Sequence, residues 1–276
     1  MKLAFNTWVY SSFPVWVPSY PLEYVVPQLA EIGYEGIELG AASPHAYPDY
    51  TSPQRRGEIR RLFEANKIAL VSMLPAPGGG PGFNVASPLA EERAAAIDQY
   101  KKVLTLCAEL GGKIVLYVAG WQVFGTSRDE AWKWSRDALA DLAPAAAAQG
   151  MTICIEPTSA DSNLIDSADD AIRLKSEVGA ANVKLMFDTY HTIYRNEVAT
   201  DYVHRFGKDL AHVHLADSNR LPPGEGTGSF ATLIEALKKS KFDGYLTMEI
   251  GFNRRDVDPG AFAKRAHDYI RKLVDG

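Results

Sequence analysis

Eight short apolar runs recur along this chain: LAFNTW, GIEL, ALVSML, KIVLYV, TICIEP, VKLMFD, AHVHLA and YLTMEI. Their length and near-continuous apolarity read as strands buried on both faces. Between and after them lie eight segments with helical spacing or strong helix formers, at 22–32, 54–66, 88–110, 128–149, 168–178, 199–206, 230–239 and 259–273. Strand and helix in strict alternation call for a parallel sheet covered by helices, because parallel neighbours can be joined only by a crossover. Eight such units in 276 residues predict one α/β domain over 1–276, a closed (β/α)8 TIM barrel, with a doubly wound open sheet as runner-up.

Local signals support several helix ends. Ser87-Pro88 offers an N-cap and a first-turn proline, and Ser127 and Ser167 each precede acidic first turns. Gly33, Gly111-Gly112, Gly150, Gly179 and Gly244 fall at or near helix ends, where left-handed caps form.

Charge and composition exclude several functions. A net charge of -5 and the lack of any basic run argue against a nucleic-acid partner, since phosphate contacts need clustered Lys and Arg. No apolar stretch approaches the roughly 20 residues of a membrane span, so no membrane partner is expected. Cys107 and Cys154, both in apolar surroundings, read as reduced buried thiols and fit a cytoplasmic protein. Three post-strand loops stand out. Residues 9–20 carry Tyr10, Phe13, Trp16 and Tyr20, residues 75–83 read PAPGGGPGF, and residues 120–126 contain Trp121 and Phe124. In a barrel all three lie over the mouth where active sites are built, yet the glycine-rich loop lacks the Lys-Ser/Thr of a phosphate cradle.

The chemistry is concentrated at the strand ends. Glu156 closes the fifth strand and Asp188 the sixth, while His214 and Glu249 lie near the ends of the seventh and eighth. Successive gaps of 32, 26 and 35 residues, about one βα unit each, deliver the four side chains to one level of the mouth. Three carboxylates crowded together repel and suffer desolvation unless a cation joins them. The mixed oxygen–nitrogen set, with no thiol, suits Mn²⁺, Mg²⁺ or Co²⁺ better than a structural zinc. His212 shares the inward parity of His214 and reads as a core histidine. His191, three residues past Asp188, reaches the mouth as a hydrogen-bond donor, and Arg220 can fix a hydroxyl or an anionic group. His45 is read as a pocket residue, and His204 and His267 as surface or packing residues on helices.

With IEP, FDTYH, HVHLADSNR followed by PPGEGTG, and MEI in place, the chain resembles the xylose-isomerase-like TIM barrel superfamily. The resemblance is closest to its ketose 3-epimerase branch, acting on D-tagatose, D-allulose and L-ribulose. It implies metal ligands at Glu156, Asp188, His214 and Glu249, with Mn²⁺ the leading metal, and substrate contacts at His191 and Arg220. It also implies a small-molecule sugar substrate and a homodimer or homotetramer. Such enzymes carry a second Glu six residues after the first. EPTSADSN is one residue shorter, so Asp161 is the best match. The IELGAASPHAYP stretch is closer to epimerases of keto-glycosides and fructosyl-amines than to those of free ketohexoses.

The expected reaction is epimerisation of a ketose or keto-sugar. A proton is lost next to a metal-bound carbonyl, an enediolate forms, and a second Glu returns the proton; the resemblance implies Glu156 and Glu249 as the pair. Trp121 is assigned to the substrate pocket. A metal-dependent lyase or dehydratase acting on a keto-glycoside or keto-inositol is the alternative, using the same first step. An endonuclease IV-type DNA repair nuclease shares DxxH and the HxH-like strand, but LVSMLPAP and IVLYVAG lack its extra histidines.

Overall fold

The computed structural model describes residues 1–10, 20–75, 82–251, 256 and 258–276. Phe13, Trp16 and most of the glycine-rich loop lie outside the described residues. The strands are β1 (Lys2–Asn6), β2 (Gly36–Ala41), β3 (Ala69–Pro75), β4 (Ile114–Val118), β5 (Thr152–Glu156), β6 (Val183–Asp188), β7 (Leu210–Leu215) and β8 (Tyr245–Met248). Each pairs in parallel with the next, and β1 closes on β8 through Leu3–Leu246 and Phe5–Met248. The expected (β/α)8 barrel is therefore what forms, and closure leaves no sheet edge exposed.

Its helices are α1 (Leu22–Ile32), α2 (Pro53–Asn66), α3 (Ala90–Glu109), α4 (Arg128–Ala147), α5 (Ala168–Val178), α6 (Thr189–Tyr194), α7 (Ala199–Phe206), α8 (Phe230–Lys239) and α9 (Pro259–Asp275). The short α6 is additional to the eight helices expected, and it grows directly from the end of β6. Ser127 and Ser167 form capping boxes, and Gly33 and Gly179 cap α1 and α5 in the left-handed conformation. The Ser87-Pro88 start is corrected. Ser87 Oγ accepts from the amide of Leu89 in a local turn, and α3 begins only at Ala90. A serine that satisfies the amide two residues on has spent its acceptor outside the helix.

Outward-facing strand residues such as Leu3, Phe5, Ile37 and Val115 pack against the helices through Leu29, Ile59, Val103, Leu139 and Ile270, all buried. Inside the barrel the two sides differ. Trp8, Leu74, Leu116, Cys154 and Met186 form a separate apolar cluster. Asn6, Ser72, His212 and His214 are instead buried and each hydrogen-bonded to the buried Glu38. Gly40 leaves room for Trp8 of the apolar cluster, because a Cβ there would come within 2.9 Å of its ring. Both cysteines are free and buried. Among the described residues no helix is long and apolar enough to cross a membrane.

Candidate active site

Strand register brings the acid–imidazole set together. Asp188 ends β6 directly beside His214 of β7, which in turn pairs with Thr247 of β8, two residues before Glu249. Glu156, Asp188, His214 and Glu249 are all buried and each offers one ligand atom, the four atoms lying within 4.8 Å of one another. His214 Nδ1 sits 3.4 Å from Glu156 Oε1 and 3.2 Å from Glu249 Oε2. Neither His214 Nδ1 nor Glu156 Oε1 has a hydrogen-bond partner among the described residues. Buried polar atoms are nearly always satisfied. Two unsatisfied donor atoms of ligand type, converging with two further carboxylates, fit a divalent cation.

Arg220 is buried against the same carboxylates. Its Nη1 donates to Asp188 and, at 2.9 Å, to Glu249 Oε2, and its Nη2 lies 3.5 Å from Asp161 Oδ2. The guanidinium also stacks 4.0 Å from the centre of the Tyr190 ring. Burial raises the Asp188 carboxyl to about 7, against the pull of Arg220. Glu156 is likewise raised by burial. At Glu249 burial is outweighed by the charges of His214 and Arg220, and the carboxyl falls to about 2.

The loop that carries Arg220 is built around Asp217, which is fully buried. Its Oδ1 accepts from the amides of Ser218 and Gly228, each at 2.8 Å, and its Oδ2 from those of Gly224 and Gly226, each at 2.9 Å. A Cβ at Gly226 would lie 2.5 Å from Asp217 Oδ1, which explains the glycine in PPGEGTG. Arg220 itself takes φ of 57°, in the left-handed region. Asp217→Asn sets an amide donor against backbone donors. It is expected to destabilise the fold by about 2–3 kcal/mol and to open the 218–228 loop to proteolysis. Unchanged melting and cleavage would show that the loop holds its shape without this carboxylate.

A scan against family models matches residues 26–273 to the xylose isomerase-like TIM barrel. The chain belongs to the xylose isomerase-like TIM barrel family. A 3-dehydro-D-guloside 4-epimerase of Escherichia coli strain K12 is 30% identical over 231 residues, covering 80% of this chain and 84% of that protein. A fructoselysine 3-epimerase of Escherichia coli O157:H7 is 24% identical over 260 residues, covering 92% and 94%. Among solved structures, a D-psicose 3-epimerase of Clostridium cellulolyticum H10 crystallised with D-tagatose superposes with a TM-score of 0.85, covering 99% of each chain at 23% identity. At that identity the superposition speaks for the fold.

The remaining expected site residues of this barrel family member occupy distinct places. His191 is buried, and its Nδ1 accepts from the Ala160 amide at 3.2 Å. Burial and the nearby Arg220 charge hold this imidazole well below its ordinary pKa. It is thus neutral with its proton on Nε2, 3.6 Å from Asp161 Oδ2. Trp121 and Asp161 line one groove together with Ala160, Ser162 and Asn163, and the Asp161 side chain is 61% exposed. His45 is buried away from this groove, and its Nε2 bonds the Tyr20 carbonyl at 2.7 Å, tying the loops after β1 and β2.

Glu38 was missed by reading the strands one at a time. It is fully buried in β2, and its Oε2 is hydrogen-bonded to His212 Nε2 and His214 Nε2 at 3.1 Å each, with Oε1 2.9 Å from His214 Nε2. A lone glutamate inside the apolar GIEL run was the available signal, because such a charge is almost never buried unpaired. His212 is the core histidine expected. His267 packs edge-on against Tyr34 with ring centres 5.2 Å apart.

Proposed function

We propose that this chain is a divalent-metal-dependent epimerase of a ketose or keto-sugar, with Glu156, Asp188, His214 and Glu249 as the metal ligands. The observation that carries the reading is the convergence of these four buried groups with two donor atoms left unsatisfied. Three carboxylates and one imidazole favour Mn²⁺, with Co²⁺ or Mg²⁺ as substitutes. The two relatives described above, a fructoselysine 3-epimerase and a 3-dehydro-D-guloside 4-epimerase, support the reaction class by their names. When bound, the cation polarises the substrate carbonyl and stabilises the negative charge that proton loss leaves on it.

Glu156 at the end of β5 and Glu249 just past β8 approach His214 Nδ1 from different strands. One carboxylate takes the proton from the carbon beside the carbonyl, giving an enediolate, and the other delivers a proton from the opposite face. The stereocentre inverts with no net redox change. Neutral His191 donates its Nε2 proton to a substrate oxygen. Arg220 and Asp161 hold further hydroxyls, Trp121 covers an apolar face of the sugar, and His45 acts from outside the groove by tying the loops after β1 and β2.

NMR in D₂O, with Mn²⁺ and a panel of ketohexoses, keto-glycosides and keto-inositols, tests the proposal. Deuterium at the carbon beside the carbonyl, together with the inverted epimer, is expected for at least one compound. Exchange that ends in an unsaturated or cleaved product would move the protein to a lyase or dehydratase. Absence of exchange with every compound in metal-loaded protein would defeat the keto-sugar assignment.

A further inference from the structure

The Nε2 edge of His214, opposite the ligand atom, meets an arrangement that the four-ligand reading does not use. Glu38 accepts from Asn6 Nδ2 at 2.6 Å on Oε1 and from Ser72 Oγ at 2.5 Å on Oε2. The same carboxylate accepts from His212 Nε2 and His214 Nε2. All five side chains are buried, and only Glu38 can act solely as an acceptor toward the two rings. We propose that Glu38 is a positioning residue that fixes the His214 ring and its tautomer, so that Nδ1 is presented bare to the cation. This rests on the metal reading above and adds to it a fifth strand, β2, that contributes no ligand.

The physical case is one of geometry. An imidazole with one nitrogen donating to a carboxylate must use the other as its ligand, and the hydrogen bond raises that ligand's basicity. Among the described residues His214 Nε2 meets no acceptor but Glu38, and its Nδ1 has no hydrogen-bond partner. Asn6 and Ser72 in turn hold the Glu38 carboxylate from β1 and β3, so it cannot rotate away from the ring. His212 has an unpartnered Nδ1. In Glu38→Gln that ring's proton can move to Nδ1, so the new amide nitrogen faces a ring nitrogen able to accept and the variant is structurally tolerable; the amide oxygen still accepts from His214, but without the charge that strengthens the carboxylate's bond and raises the ring's basicity. Glu38→Leu removes the acceptor entirely.

The test is Mn²⁺ titration of the whole chain by electron paramagnetic resonance, with folding followed by circular dichroism. Four variants are compared with the wild type: Glu38→Gln, Glu38→Leu, His214→Ala and Leu139→Ala. Leu139 is a buried α4 residue in the helix layer and serves as a destabilised control. The wild type is expected to bind one tight Mn²⁺ that His214→Ala abolishes. If those two titrate alike, the metal reading itself falls. Given tight wild-type binding, Glu38→Gln is expected to weaken Kd about tenfold and Glu38→Leu about a hundredfold, while Leu139→Ala leaves Kd unchanged. A Kd within twofold of wild type for folded Glu38→Gln overturns the positioning role even if Glu38→Leu does not fold. Equal weakening in Leu139→Ala would assign the effect to lost stability and overturn it as well.

Discussion

Glu249→Gln is expected to lower turnover by about 10³–10⁴-fold, and Glu156→Gln to do the same, with the fold intact in both. On the proposed mechanism each substitution removes a proton acceptor whose positioned contribution is on the order of 10²–10⁴-fold, and each also weakens a proposed metal ligand. The two carboxylates are buried, with Glu156 Oε1 3.4 Å and Glu249 Oε2 3.2 Å from His214 Nδ1. If the two act on opposite faces, each variant should also behave differently in half-reactions. One epimer, presented to the variant that keeps the relevant base, should still exchange its proton with D₂O without inversion. Measurement of both epimers by NMR separates the roles. Retained epimerisation in either variant would remove the two-base scheme.

Arg220→Leu is expected to cost the metal-free protein about 3–5 kcal/mol, read as a fall in Tm of roughly 6–15 °C. The guanidinium is 3% exposed and pairs with Asp188 and Glu249. Removing it leaves those carboxylates buried without their nearest side-chain cation. Added Mn²⁺ should restore a large part of the loss, since a divalent cation at the same cluster supplies the missing charge and stabilises only the folded state. The wild type should gain less from the metal. A variant that melts with the wild type in the absence of metal would mean that the cluster is neutralised by its own protons.

Much of this was legible in the chain before folding was considered. The alternation of eight apolar runs with helical segments led to the barrel, because few architectures cover a parallel sheet on both faces at this length. Glu156, Asp188, His214 and Glu249 were identifiable from their positions at strand ends, since inward parity follows from the two-residue period of a strand. Ser127 and Ser167 were legible because a capping box is a four-residue interaction. Ser87 was misassigned at the same range, as its hydroxyl serves a turn or a helix equally well.

Other features depended on through-space distance. Arg220 was as consistent with a solvated loop as with a pocket, and only the fold of the 218–228 loop around Asp217 turns it into the carboxylate cluster. Trp121 and Asp161 share a groove because the loops after β4 and β5 meet, which no spacing along the chain encodes.

The sequence by itself determined the fold class and the chemical identity of the four converging groups, because both follow from local periodicity and residue type. Only the tertiary structure decided what stands behind them. Glu38 is separated from His212 by 174 residues and from His214 by 176. Closure of β1 on β8 curls β2 around to face β7, and the 3.1 Å hydrogen bonds from Glu38 to the two rings depend on that closure and on nothing shorter in the chain.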